Sequence, residues 1–243
     1  MINQKPESKG ELILFISEII NSLIPIFKSW YFYIGLISAI AGVELNYANQ
    51  IFLYNNTNEG KDLPMLSDLI LDNLPLYNVS LIYDIFSLVP VIVILIYIIH
   101  KKDYNRIPFF LIMFGIFEII RGIFIVLTPL GNPPGFTGSD SILNGLSKYE
   151  VGVYPSGHAG SGFLFFLLVK DKWYKGIIFF CLIIVIISLL FAHAHYTIDI
   201  LSGLLFAYAL NSYGEKHLKM FELGNMNKMQ GRRNIKGCCQ LKE

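Results

Sequence analysis

Two histidines and an aspartate stand together in the segment 191–203, FAHAHYTIDILSG, beside a long apolar run. His195 and Asp199 are four residues apart, the spacing that puts two side chains on one face of a helix. A carboxylate beside an imidazole fixes its tautomer, aims the other ring nitrogen outward and stabilises the positive charge that later forms. That arrangement suits His195 to act as a nucleophile or base. A buried polar pair locking two helices is the structural alternative. A second cluster is VYPSGHAGSG at 153–162. Pro155 suits a first helical turn, and Ser156 can cap the helix. Gly157 removes a side chain where an anion could approach the backbone, and amides at a helix N-terminus favour a phosphate. His158 would then stand beside that phosphate, placed to give or take a proton.

Arg121, in FEIIRGIFIVLTPLGNPPG, lies within an apolar stretch, where an arginine is costly and needs a partner or a role. It can pair with Glu118, one turn earlier, or grip a lipid phosphate while Glu118 steadies it; the two are compatible. Solvated helix ends or helix pairing would account for Glu44 and Asp84. His193 and His195 form an H-x-H, but no acidic or thiol ligands cluster nearby to complete a metal site. A Ser-His-Asp hydrolase built on Ser156 would lack a nucleophile-elbow pattern. A proton relay also uses His and Asp within membrane spans, but here the candidates sit at helix ends on one side. An enzyme facing one membrane surface fits them better.

The elements that must hold these residues are apolar. Of 243 residues, 54% are hydrophobic and 15% charged, with a mean hydropathy of +0.54. Soluble domains carry about 25% charge. Runs such as SLVPVIVILIYIIH and GIIFFCLIIVIISLLFA have the length and polarity of membrane spans. Between residues 12 and 27 the apolar residues from Leu12 to Phe27 recur at helical spacing, opposite Glu11, Ser17, Glu18, Asn21 and Ser22. This predicts an amphipathic helix lying at the membrane interface. Six spans follow, approximately 30–53, 80–100, 107–129, 155–170, 174–192 and 196–213, with Pro90 expected to kink the second. The predicted fold is an all-α integral membrane protein: six transmembrane helices preceded by an amphipathic N-terminal helix. The corresponding division is 1–29 for the N-terminal segment, 30–213 for a catalytic domain and 214–243 for a basic tail.

Charge orients the bundle. With the N-terminus in the cytoplasm, sixteen of the nineteen Lys and Arg fall on that side, and only Lys61 and Lys148 fall opposite. By the positive-inside rule both termini are cytoplasmic, and both motifs face the exoplasmic or lumenal side. The sequons at Asn55 and Asn78 fall on that outer side too. Cys238 and Cys239 follow basic residues, a setting for palmitoylation or for two unmodified thiols. Nothing in the charge pattern suggests nucleic acid.

PSGH followed about 35 residues later by AHAHYTID resembles the type 2 phosphatidic acid phosphatase superfamily, and within it the sphingomyelin synthases. RGIFIVLTPLGNPPG is similar to that family's arginine-containing span, and LPMLSDLILDN, more weakly, to its first outer loop. The resemblance reaches from about residue 30 to 213. It implies a His158, His195 and Asp199 triad on the exoplasmic face, working without metal or other cofactor. His195, helped by Asp199, would attack the lipid phosphorus and become phosphorylated, while His158 protonates the leaving diacylglycerol oxygen. Arg121, Ser156 and Gly157 would bind the phosphate. The implied partners are a phospholipid donor and a lipid alcohol acceptor: a phosphocholine or phosphoethanolamine head group would pass to ceramide or a similar alcohol. A lipid phosphate phosphatase using water is the alternative. Phosphatase members carry an arginine six residues before the second histidine, where this chain has Leu189. Fewer cations suit a phosphodiester donor, whereas the proline of YPSGH is the residue many phosphatases have.

Overall fold

A computed structural model describes residues 7–136 and 151–223. Lys148, Cys238, Cys239 and most of the basic tail lie outside the described residues. Among the described residues there are seven α-helices and no strand: α1 Glu7–Phe27, α2 Trp30–Asn56, α3 Ser80–His100, α4 Ile107–Leu127, α5 Gly157–Leu168, α6 Lys172–Phe191 and α7 Thr197–His217. Helices thus occupy all six stretches predicted as spans. Their capacity to cross a membrane differs. α3, α6 and the segment Tyr104–Leu127 are long and apolar enough, and the bent pair Ile16–Phe27 and Trp30–Asn56 makes a fourth if read as one span. α5, with 12 residues, is about 18 Å long, short of the roughly 30 Å hydrocarbon core. Asp199, Ser202, Asn211 and Ser212 dilute α7. Among the described residues, length and apolarity by themselves therefore carry three or four spans.

Start and stop signals are local. Asp171 caps α6, its Oδ1 accepting the Trp173 and Tyr174 N–H groups, and Pro108 sits in the first turn of α4. α3 runs unbroken through Pro90. α1 turns by 83° into α2. Its Ile26 is buried and Ile19 and Leu23 pack on the core, whereas Ile13, Ile16, Ile20 and Ile24 are exposed.

Packing does not follow chain order. α2 lies along α4, α3 along α6, and α5 sits between α6 and α7. The α2–α4 seam is made by glycines seven residues apart on each helix, Gly35 and Gly42 against Gly115 and Gly122. A Cβ on Gly42 would lie 2.8 Å from the Gly115 carbonyl, and one on Gly115 2.5 Å from Ser38 of α2. Small residues at such spacing let helix backbones meet closely. The main core joins Phe109, Met113 and Phe117 of α4 to Leu164 of α5 and Ile178 of α6. A smaller cluster of Tyr83, Ala159, Val185, Leu189, Ala194 and Ile200 lies beneath the motif residues.

Candidate functional site

The two motifs meet at the helix starts of α5 and α7. The Ser156 N–H donates to the Asp199 carbonyl at 3.0 Å. A Cβ on Gly203 would fall 2.6 Å from the Ser156 carbonyl, so a glycine is what lets α7 reach the α5 N-terminus. This backbone contact sets the imidazoles of His158 and His195 face to edge, with ring centroids 6.1 Å apart and planes inclined at 65°.

His195 and Asp199 do come together, but not on a shared helix face. α7 begins at Thr197, with Tyr196 as its N-cap, so His195 stands in the turn before the helix. Asp199, in the first turn, folds back: its Oδ2 accepts the Tyr196 N–H at 2.9 Å and lies 3.5 Å from His195 Nδ1. Helix capping, not i,i+4 stacking, brings the carboxylate to the ring. Asp199 is fully buried and His195 is 6% exposed. Among the described residues neither His195 Nδ1 nor Asp199 Oδ1 has a hydrogen-bond partner. A small rotation of the ring would close the 3.5 Å gap, as catalytic hydrogen bonds often do only once substrate is bound. With Nδ1 turned to the carboxylate, Nε2 is the nitrogen left for chemistry.

His193, two residues earlier, points elsewhere. It takes a left-handed φ of 49° and its ring nitrogens lie 3.0 Å from the Pro134 carbonyl and 3.3 Å from that of Leu74. It ties two loops together. Among the described residues no group of three or more His, Cys, Asp or Glu is placed to hold a metal ion.

At the other motif, Ser156 is buried and its Oγ accepts the Ala159 N–H at 3.4 Å, capping α5 as its residue type predicts. Gly157 leaves room for an unexpected neighbour: a Cβ there would lie 2.8 Å from Nε of Arg121. The guanidinium thus lies against the first turn of α5. Its Nε donates to the Pro155 carbonyl at 3.2 Å and Nη1 to Asn46 Oδ1 at 3.0 Å, while the Glu118 carboxylate stands 3.9 Å away. Asn46 completes the set by donating to Glu118 Oε2 at 2.9 Å. The Arg121–Glu118 pair predicted from sequence is therefore bridged by an asparagine of α2. Asp84 of α3 is buried, and Glu44 lies on the exposed face of α2.

Sequence reasoning missed Asn46, a polar residue between the small-residue contacts of an apolar helix, and Tyr83, whose ring packs on His158 at a centroid distance of 5.6 Å. It also missed Asp68, inside the LPMLSDLILDN loop. Asp68 accepts the N–H and the hydroxyl of Thr197, holding the start of α7 from outside, and the N–H groups of Ile70 and Leu71. Partial burial opposes ionisation of Asp68, but these hydrogen bonds outweigh it and hold the carboxyl below its usual value. The anchor is thus complete above the ordinary carboxylate value of about 3.9 and is lost as pH falls through the lower folded one. Asp68→Ala is expected to cost about 1 kcal/mol, the worth of a helix cap, and to speed proteolysis within 64–73 at neutral pH. Wild type should show that increase only in acid.

Residues 155–215 match the PAP2 superfamily C-terminal family model. The match supports the type 2 phosphatidic acid phosphatase superfamily and, with it, a phosphatase- or phosphotransferase-type enzyme acting on lipid phosphates. The PAP2 segment begins at the proline before Ser156 and takes in α5, α6 and nearly all of α7. Both histidine motifs and Asp199 are inside it, whereas Arg121, Glu118 and Asn46 are contributed by helices that precede it. The apolar helices fit a membrane protein. No curated protein matches the chain.

Proposed function

We propose that the chain is a membrane lipid phosphotransferase. It moves a phosphocholine or phosphoethanolamine head group from a glycerophospholipid to ceramide or a similar lipid alcohol, through a phosphohistidine at His195. The observation that carries this reading is the facing pair of imidazoles at 6.1 Å. A nucleophile and a general acid on opposite sides of one phosphorus, each about 3–3.5 Å from the atom it serves, need such a separation. His195 Nε2 attacks the phosphorus, the bond to the diacylglycerol oxygen breaks, and His158 gives that oxygen its proton. In the second half His158 takes the proton of the acceptor hydroxyl, whose oxygen attacks phosphorus as the P–N bond breaks. Asp199 holds the Nδ1 proton and balances the charge on His195. Arg121 and the first turn of α5 at Gly157 receive the phosphate oxygens, with Ser156 holding that turn in place.

Two observations support a diester donor. Leu189, where phosphatase members carry an arginine, is fully buried in the apolar cluster under the site, and Arg121 is already shared with Asn46 and Pro155. The sixteen-to-two distribution of Lys and Arg supports six spans with an exoplasmic or lumenal site and cytoplasmic termini.

The test uses purified protein in mixed micelles with phosphatidylcholine and phosphatidylethanolamine labelled on the head group, with and without ceramide. Wild type should form sphingomyelin or ceramide phosphoethanolamine only when ceramide is present, and His195→Ala should form neither. Water-soluble phospho-head group released regardless of ceramide would make water the acceptor and the protein a hydrolase. No turnover by wild type would sink the reading.

A further inference from the structure

One cavity of about 670 Å³ runs from the candidate site into the bundle. Its mouth is formed by Glu118, Arg121, Gly157, His158 and Ser161, and every other lining residue except Ser87 is apolar or aromatic. α3 and α4, consecutive in sequence, pack on different partners, α6 and α2, and the cavity is the space left between them. On α4 it extends from Arg121 to Ile107, fourteen residues or about 21 Å of helix. On α3 it extends from Ser87 to Ile99, about 18 Å. Val91 and Leu95 line it while remaining 42% and 56% exposed, so it opens sideways between the two helices.

The far end is closed by the N-terminal helix. Ile19 and Leu23 of α1 line the cavity together with Ile98 and Tyr104. α1 packs on the turn Tyr104–Arg106, and Glu18 pairs with Lys102 beside it. The 83° bend between α1 and α2 is what lays α1 across this end.

A long apolar tunnel with a cationic, histidine-bearing mouth fits one hydrocarbon chain attached to a phosphate. With C–C bonds of about 1.5 Å, each methylene advances about 1.25 Å, so the 21 Å path matches a chain of about 17 carbons. A leaflet is only about 15 Å deep, half the hydrocarbon core. The cavity is deeper than the leaflet and would engage the chain's end. We propose that this cavity receives one acyl chain of the donor phospholipid, and that Ile19 and Leu23 form its floor and set the preferred chain length. The assignment rests on the reading of the mouth as a phosphate site, but chain binding is measurable without turnover.

The experiment uses phosphatidylcholines carrying a photoactivatable diazirine on the terminal carbon of one acyl chain, of 10, 12, 16 or 18 carbons, with full-length protein in nanodiscs. Cross-linked peptides are mapped for wild type and His195→Ala. The 16-carbon probe should label Leu23, Ile98 and Tyr104, the 10-carbon probe Val91 and Phe114, in both proteins. Leu23→Trp should shift the strongest labelling of the floor from 16 to 12 carbons, and Leu23→Ala from 16 to 18. Labelling spread over the outward-facing Ile92 and Ile96, at every chain length, would overturn the assignment. Floor labelling without head-group transfer would uphold the chain site and count against the phosphotransferase. Transfer with chain-length-independent labelling would do the reverse.

Discussion

His195→Ala is expected to lower head-group transfer by about 10⁴-fold or more, the loss seen when a covalent nucleophile is removed. No described neighbour can replace it: His158 packs on Tyr83 with its ring centroid 6.1 Å from that of His195, and His193 is engaged with the Pro134 and Leu74 carbonyls. Asp199→Asn should cost about 10²–10⁴-fold. That carboxylate has two tasks, and the second predicts a particular signature. Its Oδ2 accepts the Tyr196 N–H, and an asparagine with its amide oxygen at that place keeps the cap while losing the charge beside His195. Melting temperature should therefore stay near wild type for Asp199→Asn but fall for Asp199→Ala, with activity lost in both. A phosphohistidine trapped by acid-free quenching of wild type with labelled donor, and missing from His195→Ala, would identify the attacked atom's partner. Near-wild-type turnover by His195→Ala would remove His195 from the chemistry.

Gly115→Leu is the structural counterpart, with the largest expected effect on stability. A Cβ at this position would lie 2.5 Å from the Ser38 backbone carbon and 2.6 Å from the Ala39 nitrogen. Those are backbone atoms, so no rotamer relieves the clash and the helices must separate. Overpacking of this kind costs about 3 kcal/mol or more. Glu118 is less than one turn further along α4, and its carboxylate takes the Asn46 side-chain N–H at 2.9 Å. Separation would therefore pull Asn46 from both Glu118 and Arg121. Thermal unfolding in detergent should show the loss, and activity should fall with it although residue 115 is remote from the imidazoles. Gly176→Leu is the control: nothing lies within 4 Å of a Cβ there, so the same side chain should leave melting unchanged. Equal melting of the Gly115 variant and wild type would mean that the α2–α4 seam is looser than described.

These expectations show which features were legible without coordinates. Helix positions were, because runs of apolar residues broken by Asp171, Ser156 and Pro108 report local burial and capping. So were His158, His195 and Asp199 as residues to watch, because hydrophobic spans leave polar residues few reasons to be present, and the structure brings the three side chains together. Helix partners were not legible. Periodicity says that a face is covered but not by what, so α2 on α4, with α3 turned away to α6, emerges only where the glycines of two distant helices meet. Asn46 was invisible for the same reason: beyond the Gly42 carbonyl of its own helix, its acceptors are the carbonyl and carboxylate of Glu118, which it meets only across that seam.

The sequence by itself determined a helical, membrane-suited chain with two histidine motifs and, within or beside its apolar runs, an arginine and an aspartate. Only the tertiary structure decided that Asp199 reaches His195 through the cap of α7, that Arg121 fills the place left by the missing side chain of Gly157, and that a long apolar cavity begins at that point. The physical reason is that side-chain chemistry is written locally. Distances between groups on different helices depend on how closely backbones approach, and here glycines at Gly42, Gly115, Gly157 and Gly203 set that approach.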